Sequence, residues 1–139
     1  MNHDSIQRIR ASYLQIADRV PAMIERFYAL LFQRLPAARP LFPDDMTRQR
    51  QHLLAALATV ARNLDRTTAL ELPLRELGAR HVAYGTRPEH YPVVRDALLA
   101  ALAETAAEAW SPELDADWRE ALDQVAAAML RGVPTVAPG

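Results

Sequence analysis

One histidine in this 139-residue chain lies where its side chain could bind a metal. Leu74, Leu77, His81 and Tyr84 follow one another at intervals of three and four residues, so on a helix they share one face. Tyr91 comes ten residues after the histidine, beyond a predicted helix end, and can return towards it. A core-facing histidine in this setting predicts a metal ligand, and the identity of the metal depends on the other residues.

Three further side chains have an unusual polarity or shape for their positions. Tyr28 and Gln49 lie on predicted helix faces that are otherwise apolar, where a buried hydroxyl or amide needs a hydrogen-bond partner. Phe42 lies at a corner between prolines and is suited to packing against a flat ligand. Taken singly, each residue, like His81, has an ordinary explanation as part of a protein core. Their occurrence together in one chain favours a binding site.

The sequence shows no cluster of protein metal ligands. It contains no cysteine, which excludes thiolate metal sites, a cysteine nucleophile and disulfides. Zinc sites use three or four protein ligands, and clusters of histidines and carboxylates that could supply them are missing. A single histidine suits a metal that a macrocycle already holds, which is the case for haem iron.

The composition is that of an ordinary globular chain. Hydrophobic residues make up 50% and charged residues 24%, and 16 basic against 17 acidic residues leave a net charge of −1. No strong field is available to attract nucleic acid or an anionic membrane, so neither partner is expected. No apolar run is long enough to span a bilayer and residues 1–5 show no secretory signal, so the expected compartment is the cytoplasm.

Helical periodicity recurs along the chain, and strand alternation is nearly absent. The pattern predicts one all-α domain over residues 1–132 and a flexible tail over 133–139. About six main helices are expected, packed at steep angles around a pocket. The first predicted helix extends to Asp18 and begins at a capping box formed by Asp4 and Gln7. A second helix is predicted from Pro21 to Leu35, a short turn between Pro36 and Pro40, and a third helix from Met46 to Leu64. A loop is predicted over 65–72, followed by helices that begin at Pro73, Pro88 and Ser111.

Five stretches of the chain resemble the bacterial single-domain globins, which are related to the globin domain of flavohaemoglobins. They are Phe27-Tyr-Ala-Leu-Leu-Phe-Gln-Arg-Leu-Pro36, Arg39-Pro-Leu-Phe42, Met46-Thr-Arg-Gln49, Leu77-Gly-Ala-Arg-His81 and Pro88-Glu-His-Tyr-Pro-Val-Val94. Their order and spacing match over most of the chain, from about residue 5 to residue 132. The resemblance implies a globin fold around a pocket for haem b (iron protoporphyrin IX).

The resemblance also implies roles for individual residues. His81 resembles the proximal haem ligand, and Phe42 resembles the corner phenylalanine that packs on the haem face. Tyr28 and Gln49 resemble the distal tyrosine and glutamine, with Leu53 closing the pocket beside them. The other pocket residues implied are Arg80 as a cation near a haem propionate, Tyr91 as the tyrosine that approaches the proximal histidine, and Leu77 and Val94 on the pocket wall.

Two positions depart from the flavohaemoglobin pattern. Val133 stands where that pattern has a glutamate beside the tyrosine and histidine, so the anionic push on the iron that supports peroxidase-like chemistry is in doubt. Arg95 stands where the pattern has a glycine.

His52 follows Gln49 by three residues and points to nearly the same side. There it either faces a propionate or solvent, or it swings in as a sixth iron ligand. His90, in the first turn of its helix, is expected at the surface.

The expected function is reversible binding of oxygen, and of other diatomic gases such as nitric oxide and carbon monoxide, at the haem iron. Nitric oxide dioxygenation is a second expected activity, with electrons from a separate reductase. The alternative is a haem-free globin fold that acts as an interaction or sensing module. The apolar stripes on the helices require only a hydrophobic core, which need not contain haem. The expected assembly is a monomer or a homodimer.

Overall fold

Six α-helices and three short 3₁₀ helices make up the fold of residues 1–133, which are the residues that the computed structural model describes. The α-helices are α1 (His3–Gln15), α2 (Val20–Arg34), α3 (Thr47–Arg62), α4 (Thr67–Ala83), α5 (His90–Ala106) and α6 (Pro112–Arg131). The 3₁₀ helices span Ala17–Arg19, Pro36–Leu41 and Ala107–Ala109. This part of the chain contains no strand, which confirms the all-α prediction. Of the predicted tail over 133–139, all but Val133 lies outside the described residues.

Helix α4 begins earlier than the sequence predicts. The expected loop over 65–72 is wrong, because α4 starts at Thr67 and Pro73 lies inside it. Leu70 and Leu74 are one turn apart and both are buried. Burial of this face stabilises the helix on both sides of the proline, although the proline removes one backbone hydrogen bond. Across residues 1–133, none of the helices has the length and apolarity that crossing a bilayer requires.

The first and last helices both start at side-chain caps. Asn2, rather than Asp4, caps α1, since its Oδ1 accepts a hydrogen bond of 2.8 Å from the backbone N–H of Ser5. The predicted capping box at Asp4 is therefore wrong, because the helix already begins one residue before it. The predicted start at Ser111 is confirmed, with the serine hydroxyl as the cap and Pro112 in the first turn.

The hydrophobic interior consists of two clusters. The larger, the α2–α5 core, is centred on the packing of α2 against α5 and includes the fully buried residues Val20, Met23, Ile24 and Leu102. The smaller, the α4–α6 core, contains Leu70, Leu74, Ala128 and Met129, with Leu77, Tyr91 and Val125 packed against them. Helix α3 packs on α1 and α2, and within residues 1–133 it shares no extensive interface with α4. Helices α3 and α4 are therefore held in place by different parts of the interior.

An ion-pair clamp joins α4 to the end of α6. Arg131 donates to both carboxylate oxygens of Glu71, at 2.6 and 2.7 Å, and Arg75 donates to the same carboxylate at 2.8 Å. These hydrogen bonds, that from Arg131 foremost, lower the pKa of Glu71 from 4.5 to about 2. The carboxylate is therefore charged throughout the ordinary pH range and holds the two helices together at this end.

We expect Glu71→Gln to lower the melting temperature at pH 7. Because the native pKa of Glu71 lies below its unfolded value, the clamp stabilises the fold fully above pH 4.5, and this contribution is lost as the pH falls towards 2. The difference in melting temperature between parent and variant, followed by circular dichroism, should therefore shrink on acidification. Glu25→Gln, at an exposed position, is the control. A difference that stays constant on acidification would show that the charge of Glu71 is not responsible.

Candidate functional site

Tyr28, which is buried, and Gln49, which is half-buried, form a hydrogen-bonded pair. Tyr28, on α2, is 7% exposed, and Gln49, in the first turn of α3, donates from Nε2 to the phenol oxygen at 3.1 Å. Burial raises the pKa of Tyr28, with the Gln49 hydrogen bond and the charge of Arg50 opposing the shift. Tyr28 is therefore a neutral phenol. Because its oxygen accepts the amide hydrogen, its own hydrogen remains free to donate.

Phe42 belongs to an aromatic group at the corner between α2 and α3. Its ring lies edge-on to the rings of Tyr28 and Phe32, with centroid separations of 5.7 and 5.3 Å. Arg39 fastens the corner, since its guanidinium donates to the carbonyl oxygens of Phe42 and Pro43 and lies 5.2 Å from the centroid of the Phe32 ring. The corner phenylalanine is thus held next to the Tyr28–Gln49 pair.

His81 lies near the end of α4 and is half-buried. Its Nδ1 lies 2.8 Å from the carbonyl oxygen of Leu77, so Nδ1 carries the hydrogen and Nε2 presents a lone pair. Burial lowers the pKa of His81, the Leu77 hydrogen bond opposes this, and the charge of Arg80 adds to the lowering. The imidazole is therefore neutral near pH 7, which is the form that binds metals.

Helix α4 ends two residues after His81 in a Schellman motif. The N–H of Gly85 donates to the carbonyl of Val82, and the N–H of Thr86 donates to the carbonyl of His81, each at 3.0 Å. Gly85 has a φ of 91°, a conformation that favours glycine. A Cβ at Gly85 would stand 3.0 Å from a methyl carbon of Leu41. The end of the His81 helix therefore meets the corner segment, which joins the two halves of the site.

The apolar residues expected at the site pack against the two clusters, and two polar residues expected there are exposed. Leu53 and Val94 are half-buried against the α2–α5 core, and Leu77 is half-buried against the α4–α6 core. Arg80 and His52 are exposed. His52 therefore has the exposure of a residue that faces solvent or a propionate.

Tyr91 has no direct hydrogen bond to His81. It is half-buried against the α4–α6 core, and within residues 1–133 the histidine Nδ1 is held by a backbone carbonyl instead. Arg95 pairs with Asp96 and Asp123 at 3.0 Å each and so joins α5 to α6. The orientation of the histidine is therefore set within α4.

The donor set of this site fits a haem. An imidazole with a held Nδ1 and a free Nε2 is the arrangement of a haem axial ligand. The neighbouring apolar residues on α3, α4 and α5 are only half-buried, as expected of surfaces that contact a large flat ligand. Among residues 1–133, no three histidine, aspartate or glutamate side chains converge to hold a metal ion unaided.

Two residues of the site are not evident from the sequence pattern. Leu41 contacts the glycine that ends α4, and Arg50 acts electrostatically on Tyr28. Leu41 is exposed at 39%, so no burial pattern marks it. Arg50 directly follows Gln49, and this adjacency is the one available signal.

An all-α fold with a half-buried neutral histidine, an aromatic corner and a phenol–amide pair fits the class of haem-binding helical proteins. The family comparison gives the class, since the globin model matches residues 25–129. The chain belongs to the globin family. Haem binding and binding of gaseous ligands, in the general sense that holds for globins, follow from this membership.

Three known proteins illustrate the relationship. An anaerobic nitrite reductase of Oryza sativa subsp. indica is 36% identical over 110 residues, which are 75% of this chain and 76% of that protein. A flavohaemoprotein of Rhizobium meliloti (strain 1021) is 29% identical over 121 residues, 85% of this chain and 30% of the flavohaemoprotein. An engineered carbene transferase from Rhodothermus marinus, described as a proposed nitric oxide dioxygenase, has a similar structure with a TM-score of 0.81 and 31% identity, covering 91% of this chain and 89% of that one.

Proposed function

We propose that the protein binds oxygen and other diatomic gases reversibly at a haem b held by His81. The observation that carries the proposal is the state of this histidine, a neutral imidazole whose Nδ1 is bound to the Leu77 carbonyl and whose Nε2 has no partner among residues 1–133. The position of Phe42 against Tyr28 supports a haem face at the corner. The exposed guanidinium of Arg80 is available to pair with a propionate carboxylate.

We further propose that the protein oxidises nitric oxide to nitrate. One nitric oxide, one oxygen molecule and one electron give one nitrate, and a separate reductase supplies the electron. The likeness to the Rhodothermus marinus protein supports this activity.

The haem supplies the gas-binding chemistry, and the chain controls the surroundings of the gas. Gln49 donates to the Tyr28 oxygen and thereby leaves the phenol hydrogen free to donate to a ligand that gains negative charge. The buried residues Leu31 and Leu57, with the half-buried Phe42, provide apolar surface that excludes water. Exclusion of water strengthens the hydrogen bond from Tyr28.

Absorption spectra of protein expressed with ample haem test the proposal. We expect a haem spectrum in the reduced protein, a shift with carbon monoxide, and a reversible change with oxygen. With nitric oxide, oxygen and a reductant, nitrate should form in equal amount to the nitric oxide consumed. Protein that purifies colourless despite the haem supply would exclude the proposal and leave the haem-free interaction or sensing module as the function.

Nitrite reduction is a second candidate activity, favoured by the 36% identity with the Oryza sativa enzyme. Nitrite, one electron and two protons give nitric oxide and water. Reduced protein mixed with nitrite in the absence of oxygen should then release nitric oxide. No release above the rate of free haem would exclude this activity and leave the oxygen-dependent proposal untouched.

A further inference from the structure

The backbones of α4 and α6 meet at two glycines. A Cβ built on Gly78 would stand 1.9 Å from the carbonyl oxygen of Met129, and a Cβ built on Gly132 would stand 1.9 Å from the carbonyl oxygen of Arg75. Each glycine thus faces the carbonyl of the residue three positions before the other glycine. The obstacles are backbone atoms, which a change of rotamer cannot move.

This contact lies within the main interface of α4. Within residues 1–133, the one extensive interface of α4 is with α6. The glycine pair lies between the Glu71–Arg131 clamp on one side and His81 on the other. His81 follows Gly78 by one turn, about 4.5 Å along the helix axis. A shift of α4 away from α6 at Gly78 would therefore displace the histidine.

Side chains give His81 little other support. Its Nδ1 is bound to a carbonyl of its own helix, so this bond moves with α4 and does not anchor the helix to the rest of the protein. Within residues 1–133, Tyr91 makes no hydrogen bond to the histidine, and the aromatic neighbour of the ring, Tyr84, lies at the end of the same helix. The packing of α4 on α6 is therefore the extensive contact that locates the imidazole relative to the fold, alongside the smaller contact between Gly85 and Leu41.

We propose that Gly78 and Gly132 are positioning residues, which allow backbone contact between α4 and α6 and thereby set the position of His81 relative to the haem iron. This inference rests on the proposed ligation of haem by His81. Relief of a 1.9 Å contact to an ordinary van der Waals distance of at least 3.4 Å requires a movement of about 1.5 Å or more. Functional geometry in proteins tolerates about 0.5 Å, so one added methyl group exceeds the tolerance.

Gly78→Ala and Gly132→Ala, each purified with haem, test the proposal. The iron–histidine stretching band of the reduced protein, measured by resonance Raman scattering, should shift in both variants. Release of haem to an excess of acceptor apoglobin should become about 10- to 100-fold faster, the range found when the support of a metal ligand is lost. The two variants crowd the contact from opposite helices, so either one suffices if the other does not fold.

Two controls separate positioning from general destabilisation. Met23→Ala removes fully buried volume from the α2–α5 core and should lower the melting temperature without shifting the band. Met129→Ala, added to Gly78→Ala, should not restore the parent band, because the obstacle is a backbone carbonyl. Restoration would show that side-chain crowding is responsible and would overturn the proposal.

An unshifted band in both glycine variants would also overturn the proposal, whatever their melting temperatures. Failure of the proposed ligation by His81 gives a different result from failure of the proposed role of the glycines. If the parent protein holds haem but shows no iron–histidine band, ligation by His81 itself fails. If the parent shows the band and the variants keep it unchanged, only the role of the glycines fails.

Discussion

His81→Ala is expected to lose haem during purification, while the helical content of the protein is retained. Among residues 1–133, Nε2 of His81 has no hydrogen-bond partner, and its Nδ1 is held by the Leu77 carbonyl. Loss of a group that merely supports a metal ligand costs about 10- to 100-fold in affinity, so loss of the ligand should cost at least about 100-fold. Haem absorbance per mole of protein and the rate of haem release measure the effect.

The other histidines supply matched controls. His52 is exposed, and His90 accepts a hydrogen bond from the backbone N–H of Arg87 at 3.1 Å. Alanine variants at these two positions should keep their haem. Imidazole added to His81→Ala should restore part of the parent spectrum, because the free base can replace the missing ring. A His81→Ala variant that retains haem with an unchanged spectrum would contradict ligation by His81.

The Tyr28–Gln49 pair shows how much of the site can be predicted from the sequence. Each residue is polar on an apolar helix face, and each therefore needs a partner if it is buried. The structure makes each the partner of the other, at 3.1 Å. Helical periodicity gives the side to which each residue points, and the resemblance to globins gives the order of the helices. The choice of donor and acceptor, which leaves the phenol hydrogen free, follows only from the structure.

The contact between α4 and α6 lies beyond what the sequence could give. Periodicity identifies the buried face of a helix, but the distance between two helix axes depends on how distant segments pack. Gly78 in a helix interior is a signal, since glycine destabilises a helix by about 1 kcal/mol relative to alanine unless packing requires it. Its partner carbonyl, on Met129, cannot be inferred from that signal.

The early start of α4 also depends on the packing of distant segments, which the sequence pattern does not give. The turn chemistry of Pro73 favours a helix boundary, and burial of Leu70 and Leu74 against α6 overrides it. A local rule is correct only where tertiary packing does not oppose it. At Ser111 nothing opposes the rule, and the predicted cap is found.

Tyr28→Phe is expected to release oxygen about 10- to 100-fold faster than the parent protein. A hydrogen bond to a group that carries charge contributes about 1.5–3 kcal/mol, and 1.4 kcal/mol corresponds to a factor of ten. Carbon monoxide gains much less negative charge, so its release should change little. Stopped-flow displacement of each gas measures the two rates. Tyr13→Phe, at a half-buried tyrosine that packs against Trp118, is the control and should leave both rates unchanged.

Gln49→Leu tests whether the amide acts by itself or through Tyr28. The Gln49 amide donates to the phenol oxygen, so its removal frees the hydroxyl to rotate and leaves a buried acceptor without its donor. If the amide works through the phenol, Tyr28→Phe combined with Gln49→Leu should release oxygen no faster than Tyr28→Phe alone. Fully multiplicative effects would show two independent donors. Oxygen release that is unaffected by Tyr28→Phe would exclude the phenol as a donor and with it the proposed basis of oxygen retention.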